Sequence, residues 1–365
     1  MGAYILRRLL LIIPTLLGIM IVNFTLTQFV PGGPIEQIAA QLQGEGDVFR
    51  NISGGGAEAG GGAGGSALEQ QYSGARGLPP EFIAQLEKEF GFDKPPVERF
   101  LMMIGDYLTF DFGNSWFRGR PVMDLVLETL PVSITLGLWS TLLAYLISIP
   151  LGIRKAVRDG SRFDKWTSGV IIMGYAIPAF LFAVLLMVLF AGGSYWKIFP
   201  LSGLTSEQRI WDTLSWWGKV KDYAWHAALP VIATSISGFA TLTLLTKNSF
   251  LDEISKQYVM TARAKGLTES RVLYGHVFRN AMLIVIAGFP AMLLGMLFGA
   301  SILIEQIFSL DGLGRLGFAA AVQRDYPVIF GTLYVFGLLS LVVGILSDLM
   351  YVFVDPRIDF ESRAG

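Results

Sequence analysis

Few residues in this 365-residue chain are of the types that carry out catalysis or bind metals. The chain has no cysteine, and its only histidines, His226 and His276, lie far apart in sequence. A catalytic nucleophile needs a neighbouring base and a group that orients it, and a zinc site needs three or four ligands close together. The sequence therefore predicts no enzyme, no metal site and no cofactor bound by this chain.

Two glycine motifs look like nucleotide-binding signatures but lack the context of such sites. Residues 312–317 spell G-x-G-x-x-G, yet they follow an apolar segment rather than a strand, and no acidic residue comes about 20 positions later. Residues 111–113 spell the kinase triplet D-F-G without any other kinase segment. No G-x-x-x-x-G-K-[ST] phosphate loop occurs. We interpret the glycines of 312–317 as a helix boundary, where one helix ends and the next begins.

The composition is that of a membrane protein, with 53% hydrophobic and 16% charged residues. Soluble domains carry roughly 25% charged residues. A net charge of −1 gives no reason to expect nucleic-acid binding. About 20 apolar residues cross a bilayer, and the sequence predicts an all-α protein with six such spans. The spans are 9–30, 132–153, 167–191, 227–246, 282–304 and 328–354.

The spans contain few features that suggest a function. Asp348 is the only acidic residue within them, and it lies about two turns from the end of the last span. An intramembrane carboxylate is a candidate functional group, but pairing with a basic residue such as Arg357 is the favoured alternative. Pro14, Pro178 and Pro290 are either static kinks or hinges, and the kink is favoured.

Basic residues predict the orientation of the spans. The flanks 1–8, 154–166, 247–281 and 355–365 hold 15 of the 28 Lys and Arg residues in 67 positions. The opposite flanks hold 13 in 159 positions. The denser side is expected to be cytoplasmic, so both termini are predicted to lie inside. The first apolar run also resembles a signal peptide, but its length and the absence of an A-x-A site favour a span.

These spans divide the chain into four parts. The first span (1–30) precedes a periplasmic insertion (31–131), in which 54–65 is a flexible glycine-rich stretch and 80–110 is expected to form amphipathic helices. A five-span core (132–354) contains a cytoplasmic loop (252–281), and a tail (355–365) follows. Five of the eight tryptophans lie in 192–226, where they suggest an anchor at the membrane interface, with stacking on a substrate as the alternative.

The loop 252–281 is the longest polar interruption in the second half of the chain. Its pattern predicts two short helices that break at Gly266, with Thr268 as the N-cap of the second. Each helix has one apolar face to bury and carries basic residues. A multi-span chain without catalytic residues is most naturally a transporter. No predicted span contains an ionisable group at mid-depth that could couple transport to an ion gradient. The energy for transport is therefore expected to come from a partner that docks on this loop. An ion-coupled secondary transporter, or an export or channel component, is the alternative.

Over nearly its whole length the chain resembles the B-type permease subunits of bacterial peptide ABC importers, the oligopeptide/dipeptide permease family. The residues Y-V-M-T-A-R-A-K-G-L at 258–267 resemble that family's form of the EAA loop, although the glutamate of the general pattern is absent. Further matches are D-F-G-N-S at 111–115, G-L-G at 312–314, R-D-Y-P at 324–327 and D-P-R at 355–357. Within the family, the chain resembles most the Yej-type branch, which is associated with oligopeptides and microcin C.

This resemblance implies a type I ABC importer permease in the bacterial inner membrane. It implies four kinds of partner: a second homologous permease, an ABC ATPase that binds ATP-Mg, a periplasmic peptide-binding protein, and the oligopeptide itself. The residues implied to contact the ATPase are Tyr258, Thr261, Ala262, Arg263, Ala264, Lys265, Gly266 and Leu267. We expect the small residues to allow close approach. Those implied to form a periplasmic gate or docking site are Glu305, Arg324 and Asp325.

Overall fold

A computed structural model describes residues 2–29, 94–192, 195–299 and 301–354 of the chain. Apart from one isolated bridge between Asn114 and Pro121, these residues contain helices and loops only. The α-helices are α1 (Gly2–Phe29), α2 (Pro96–Leu108), α3 (Val122–Val157), α4 (Arg162–Ala176), α5 (Ala179–Phe190), α6 (Gln208–Trp211), α7 (Trp216–Ile254), α8 (Gln257–Ala264), α9 (Glu269–Val272), α10 (Phe278–Ala287), α11 (Phe289–Leu294), α12 (Ser301–Ile307), α13 (Leu313–Gln323) and α14 (Tyr326–Val354). Two π-helical segments, Leu273–Val277 and Gly295–Gly299, interrupt this series.

Five helical stretches in the described part of the chain are long and apolar enough to cross a membrane. They are Leu6–Leu26, Val122–Val157, Trp216–Ile254, Glu269–Leu297 and Tyr326–Met350. A sixth span results if α4 and α5, which meet at a bend of 96°, are counted together. The bend follows from Ile177 and Pro178, because proline pushes the residue before it out of the helical conformation, and Ile177 is extended (φ −82°, ψ 119°). The predicted six spans thus correspond to five helices and one bent pair.

The chain forms two compact units. The larger unit comprises Met1–Pro14, Asp124–Arg324 and Thr332–Gly365. Its organising element is α7, which packs against α4, α5, α10 and α12. Helices α3 and α7 approach each other closely at Gly152. A Cβ added there would lie 2.6 Å from Cβ of Thr246, so this position has no room for a side chain. Helices α3 and α7, of 36 and 39 residues, are about 54 and 58 Å long and exceed a bilayer core of about 30 Å.

The smaller unit comprises Thr15–Met123 and Asp325–Gly331. Its helix α2 lies where the sequence predicted an amphipathic helix, but the predicted apolar face is only partly buried. Val97, Leu101 and Leu108 are 61–71% exposed, whereas Tyr107 is buried. Of that face, Phe100 packs on Phe24 with 5.2 Å between the ring centroids, while Tyr107, which lies outside the predicted face, is 4.9 Å from Phe112. The predicted glycine-rich stretch 54–65, and the helix expected near 80–90, fall outside the described residues.

The tryptophans of the predicted outer segment lie on the surface of the larger unit. Trp196, Trp216, Trp217 and Trp225 are each about half to two-thirds exposed. Trp196 stacks on Phe190, and the two neighbouring indoles at 216 and 217 contact each other edge to face. Exposed indoles are typical of a membrane interface, so the anchor interpretation stays a prediction that this arrangement favours.

Candidate functional site

The predicted coupling loop folds as α8, a tight turn and α9 with the π-helical segment after it; we call residues 257–277 the coupling unit. The turn is formed at Gly266, whose φ of +78° is the left-handed conformation that glycine adopts without strain. Thr268 occupies the N-cap position of α9 as predicted, but its side chain donates or accepts no capping hydrogen bond. Arg263 closes the turn through two hydrogen bonds to the Glu269 carboxylate, of 2.9 and 3.0 Å.

One face of the coupling unit is buried against the core of the larger unit. Val259, Ala262, Val272 and Val277 all belong to a hydrophobic cluster that also contains residues of α3, α7 and α10. The helical spacing of apolar residues predicted this burial correctly. The buried face holds the unit against α7, so a displacement of the coupling unit must move its neighbours with it.

The opposite face of the coupling unit is exposed. Met260, at 58%, is the most exposed large apolar side chain of the unit after Tyr274, and Thr261 and Arg263 also face outward. Ala264, Lys265 and Gly266 complete this exposed surface. Methionine and arginine are enriched at protein interfaces, so Met260 and Arg263 suit contact with another protein.

Three residues that the resemblance assigned to the contact lie elsewhere. Ala262 is 7% exposed and packs on the core within the chain itself. Leu267 and Tyr258 are partly buried against the same cluster. The Tyr258 hydroxyl donates a 2.8 Å hydrogen bond to Glu253, and burial raises the pKa of this phenol. The exposed surface of this segment is therefore narrower than the sequence motif, and it also includes Met260.

A cavity of about 390 Å³ lies beneath the coupling unit. Its lining combines apolar residues of three helices, such as Val157, Ile254 and Val259, with the polar pair Arg263 and Glu269 at its edge.

A buried ion pair connects α3 to the start of α4. Lys155 is fully buried, and its ammonium nitrogen lies 2.8 Å from Oδ1 of Asp164. It also donates to the backbone carbonyl of Asp164 (2.9 Å) and to the hydroxyls of Thr167 (2.9 Å) and Ser168 (2.7 Å). Three hydrogen-bond acceptors and the adjacent carboxylate charge explain how a lysine is tolerated at a fully buried position.

A second lysine joins the same carboxylate from α7. Lys247 lies 2.8 Å from Oδ2 of Asp164 and 2.7 Å from Asp159. Together with Lys155 these residues form a neutral group of two cations and two anions, which we call the charge cluster. In the sequence the two lysines indicate only the orientation of the spans, because a local pattern does not reveal partners 9 and 83 positions away.

Glu305 lies at a second buried polar site, at the end of α12. Its carboxylate accepts hydrogen bonds from Ser133 Oγ of α3 (3.1 Å) and from the backbone N–H of Arg315 (2.7 Å). Ser133 in turn accepts from the N–H of Leu313 (2.9 Å). Glu305 and Ser133 thus satisfy the first N–H groups of α13 and place a negative charge at its N-terminus, where the helix dipole stabilises it.

This site explains the G-x-G-x-x-G motif. Gly312 is the N-cap of α13, and a Cβ added there would lie 2.3 Å from the carboxyl carbon of Glu305. The motif therefore marks the start of a helix, as predicted. The carboxylate itself is fully buried, so it is placed to position α13 rather than to contact a partner.

The other two residues of the predicted gate differ from each other. Asp325, in the smaller unit, is 2% exposed and accepts hydrogen bonds from Ser115 Oγ (2.5 Å) and from the N–H of Trp116 (3.3 Å). It thereby joins two segments, D-F-G-N-S and R-D-Y-P, that the sequence singled out separately. Arg324 ends α13 in the left-handed conformation, at φ +58°, and is exposed.

Asp348 forms an ion pair with Arg8, a basic residue that the sequence did not suggest as its partner. Its carboxylate lies 2.8 Å from a guanidinium nitrogen of Arg8 in α1. The suggested partner, Arg357, lies outside the described residues. The favoured interpretation of Asp348 as part of an ion pair agrees with this contact, while its partner comes from the opposite end of the chain.

No metal or catalytic centre accompanies these sites in the part of the chain that the structure describes. There, no group of three or more His, Cys, Asp or Glu residues is arranged to hold a metal ion. His226 Nδ1 contacts the backbone carbonyl of Asp222 at 2.8 Å. The Asp222 carboxylate is occupied by Ser206, through the hydroxyl (2.6 Å) and the backbone N–H (2.8 Å).

Known proteins resemble this chain over its full length. It is 62% identical over 364 residues to the "peptidoglycan transport system permease protein YejB" of Agrobacterium fabrum (strain C58 / ATCC 33970), covering 100% of both chains. It is 58% identical over 366 residues to the "inner membrane ABC transporter permease protein YejB" of Escherichia coli O157:H7, also covering 100% of both. The "oligopeptide transport system permease protein AppB" of Bacillus subtilis (strain 168) is 34% identical over 361 residues, covering 99% of this chain and 100% of that protein.

The fold has a counterpart among solved structures. The inward-facing MetNI methionine ABC transporter matches with a TM-score of 0.50 at 15% identity, over 64% of this chain and 97% of that chain. This agreement identifies the fold as that of a type I ABC importer permease.

A family model supports the same assignment. The model for "binding-protein-dependent transport system inner membrane component" matches residues 148–360, which is more than half of the chain and includes the whole coupling unit. The resemblance to Yej-type permeases is confirmed by the 58–62% identity to two of them. The family implies an ATPase and a substrate-binding protein as partners. The chain belongs to the family of binding-protein-dependent transport system inner membrane components, and it is a multi-pass, non-catalytic permease subunit of the inner membrane.

Proposed function

We propose that this chain forms half of the membrane pathway of an ATP-driven peptide importer and receives the energy for transport through the coupling unit. The observation that carries the proposal is the two-faced geometry of residues 257–277. One face is fixed to the core through Val259, Ala262 and Val272, and the other exposes Met260, Thr261 and residues 263–266. Such a unit transmits force only when a partner holds its exposed face.

Both termini and the coupling unit lie in the cytoplasm in this proposal, and the insertion 31–131 lies in the periplasm. The density of basic residues supports this orientation. The first span (1–30), the insertion, the five-span core (132–354) with its loop 252–281, and the tail (355–365) are its parts.

A second, homologous permease completes the pathway, and two ATPase domains bind ATP-Mg below the pair. When ATP binding closes those domains, they draw the two coupling units together and the helices switch from inward- to outward-facing. A docked partner shifts this equilibrium only if it binds one state more tightly than the other. The exposed residues Thr261, Arg263, Ala264, Lys265 and Gly266 supply this state-dependent contact.

The substrate class is peptides. The names of three relatives support this. AppB of Bacillus subtilis is named for oligopeptide transport, and DppB of Escherichia coli is named for dipeptide transport. The 62% identical YejB of Agrobacterium fabrum is named for peptidoglycan transport. Peptidoglycan contains short peptides, so the same pathway serves oligopeptides and peptide-bearing cell-wall fragments. Peptide conjugates of the microcin C kind are further candidates.

Reconstitution tests the proposal. The chain is co-expressed with its neighbouring transporter genes, purified through a tag and placed in proteoliposomes with the binding protein inside or outside. We expect an ATPase and a second permease to co-purify, and labelled oligopeptide to accumulate only with ATP and the binding protein. A complex carrying an inactivated ATPase is the control. Transport by the isolated chain, driven by an ion gradient, would show a secondary transporter instead.

Competition then distinguishes the substrates. Unlabelled oligopeptides and purified peptidoglycan fragments are compared as inhibitors of uptake. Inhibition by the fragments alone would restrict the substrate class to cell-wall material.

A further inference from the structure

Helix α2 has three faces of different chemistry around its axis. One face packs on the rest of the smaller unit through Phe100 and Tyr107, whose rings contact those of Phe24 and Phe112. The other two faces are exposed, and they differ from each other: one is apolar and the other is polar.

The apolar face is a stripe that runs along the whole length of α2. Val97, Leu101, Ile104 and Leu108 follow one another at spacings of four, three and four residues, which places them on one side of a helix. Val97, Leu101 and Leu108 are 61–71% exposed, and Ile104 lies partly buried at the edge of the packed face. A contiguous row of exposed apolar side chains marks a surface that binds another apolar phase.

The polar face of α2 lies beyond this stripe. Glu98 and Asp106 are exposed, and Asp106 lies about 140° around the helix from Leu101, at about 100° per residue. Lys94, just before the helix, lies 3.6 Å from the Glu98 carboxylate. The stripe therefore separates the face that packs on the protein from the face that suits water. This is the pattern of a helix that lies flat at a membrane surface.

The contact between α2 and α1 indicates the depth at which α2 begins. The apolar stretch of α1 ends at Leu26, and its 21 residues are about 30 Å long, the thickness of the hydrocarbon core. Val97, in the first turn of α2, lines a crevice of about 200 Å³ together with Ile21 and Thr25 of α1. Those two residues lie about 8 and 2 Å before Leu26 along the helix axis. Helix α2 therefore begins near the boundary between acyl chains and headgroups.

The exposed apolar surfaces of α1 and α2 meet at this crevice. Ile21, Val22 and Leu26 of α1 are about half exposed, and Val97 lies at the crevice beside Ile21. Lipid suits this surface better than a soluble protein does, because a soluble partner does not reach side chains below the headgroups. The stripe of α2 continues the lipid-facing surface of the first span.

We propose that α2 is an in-plane membrane helix whose stripe inserts among the acyl chains of the phospholipid leaflet at the C-terminal end of α1. The ligand is the acyl-chain and glycerol region of the lipid and not a charged headgroup, because the four residues of the stripe carry no charge. The inference holds whatever the transporter carries and whichever side of the membrane this leaflet faces. It assigns residues 96–108 to the membrane surface and not to an aqueous domain.

Fluorescence quenching in proteoliposomes tests the proposal. The chain has no cysteine, so Leu101→Cys on the stripe and Asp106→Cys on the polar face each provide one site for a bimane label in the complete transporter complex. The vesicles consist of phosphatidylcholine, part of it with a nitroxide on the fifth acyl carbon. Iodide, present on both sides of the membrane, is the aqueous quencher. The complex with the natural chain measures labelling of the partner subunits.

The two labels should respond in opposite ways. We expect the nitroxide to quench the label at position 101 about threefold more than the label at position 106, and iodide to show the reverse order, because an interfacial helix holds the two positions at different depths. Both replaced side chains are exposed, so neither change removes a packing contact.

Labels near the two ends of the stripe test whether α2 lies flat. Val97→Cys and Leu108→Cys are about 17 Å apart along the helix. We expect the nitroxide on the fifth carbon to quench both labels to within about twofold, and a nitroxide on the twelfth carbon to quench both less, since an interfacial helix stays shallow.

Three results would overturn the proposal. Equal quenching of the labels at 101 and 106 by iodide would show that the stripe faces water. Protection of the label at 101 from both quenchers would show that a protein, such as a second permease, covers it. Quenching of the label at 108 by iodide alone would show that α2 leaves the membrane surface. Transport is not measured in these experiments, so the proposed function would stand in each case.

Discussion

At the scale of single residues, Gly312 illustrates how a buried carboxylate constrains its neighbour. The Glu305 side chain cannot move away from an added methyl group without losing its hydrogen bonds to Ser133 and to the N–H of Arg315. A buried polar group that loses its partners is costly. The glycine is therefore required by the close approach of Glu305 and not by an unusual φ, which is −100° here.

We predict that Gly312→Ala destabilises the protein by about 1–3 kcal/mol, the usual range for overpacking a tightly packed site. The measurement is the thermal midpoint of the purified protein in detergent. Gly317→Ala is the control within the same motif, because its added Cβ would meet nothing closer than 3.6 Å, and helical alanine is preferred over glycine. Equal midpoints for the two variants would contradict this account of the motif.

The charge cluster provides a second prediction at this scale. Lys155→Met leaves Asp159 and Asp164 with only one cation and should destabilise the protein by about 3–5 kcal/mol, the range for breaking a buried ion pair. The double variant K155M/D164N restores neutrality, with Lys247 and Asp159 still paired, and should recover part of the loss. Thermal midpoints of the three proteins, measured in one detergent, provide the test. A double variant that is less stable than K155M would show that the Asp164 carboxylate stabilises the protein through contacts other than its pair with Lys155.

At the scale of elements, helix α8 of the coupling unit carries residues that pack on the core beside residues that are exposed and available to a partner. Ala262 faces the core, and Ala264, two positions later, faces outward. The two alanines have the same side chain, so equal substitutions at both positions distinguish the two roles.

We predict that Ala264→Trp leaves the thermal midpoint unchanged and weakens retention of the ATPase during purification at least tenfold, since a bulky ring covers the contact surface. Ala262→Trp should instead lower the midpoint, because a fully packed site has no room for an indole. Co-purification and detergent melting are measured for both. If Ala264→Trp retained the ATPase and transported normally, the exposed face of α8 would not be the coupling surface.

The same element shows what the sequence allows one to predict. The break at Gly266 and the buried stripe from Val259 to Val277 follow from local rules of helix ending and periodicity, and both are present. The expectation that Ala262 contacts the ATPase does not follow from those rules. It was based on the small size of the residue, and size does not indicate which face of the helix a residue occupies. The 96° bend at Pro178 was visible only as a possible kink, since proline indicates a break but not its angle.

Long-range polar contacts were the least predictable part of the sites. Lys247 and Asp164 are 83 positions apart, and Ser115 and Asp325 are 210 apart. No periodicity links such residues, because their proximity depends on how the helices pack. The resemblance named Glu305 and Asp325, and in the structure each carboxylate accepts a hydrogen bond from a backbone N–H group, that of Arg315 and that of Trp116 respectively.

At the scale of the whole molecule, the absence of cysteine makes the orientation directly testable. We predict that Asp212→Cys is labelled by a membrane-impermeant maleimide in intact cells and that Asp252→Cys is labelled only after permeabilisation. Both positions are exposed, one before α7 and one near its end, so α7 alone decides the result. The natural chain, which has no thiol, is the control. The reverse labelling pattern would invert the topology and the assignment of the coupling unit.

The ion pair between Arg8 and Asp348 bears on how the chain is made. Its partners are separated by 340 residues (348 − 8), so at about 5–20 residues per second the ribosome needs roughly 20–70 s to supply the second charge after the first. Throughout that time the first helix resides in the membrane without this contact to the last one. A chain truncated before α14 never forms it. The pair therefore forms only after α14 has been synthesised and has packed beside the first helix.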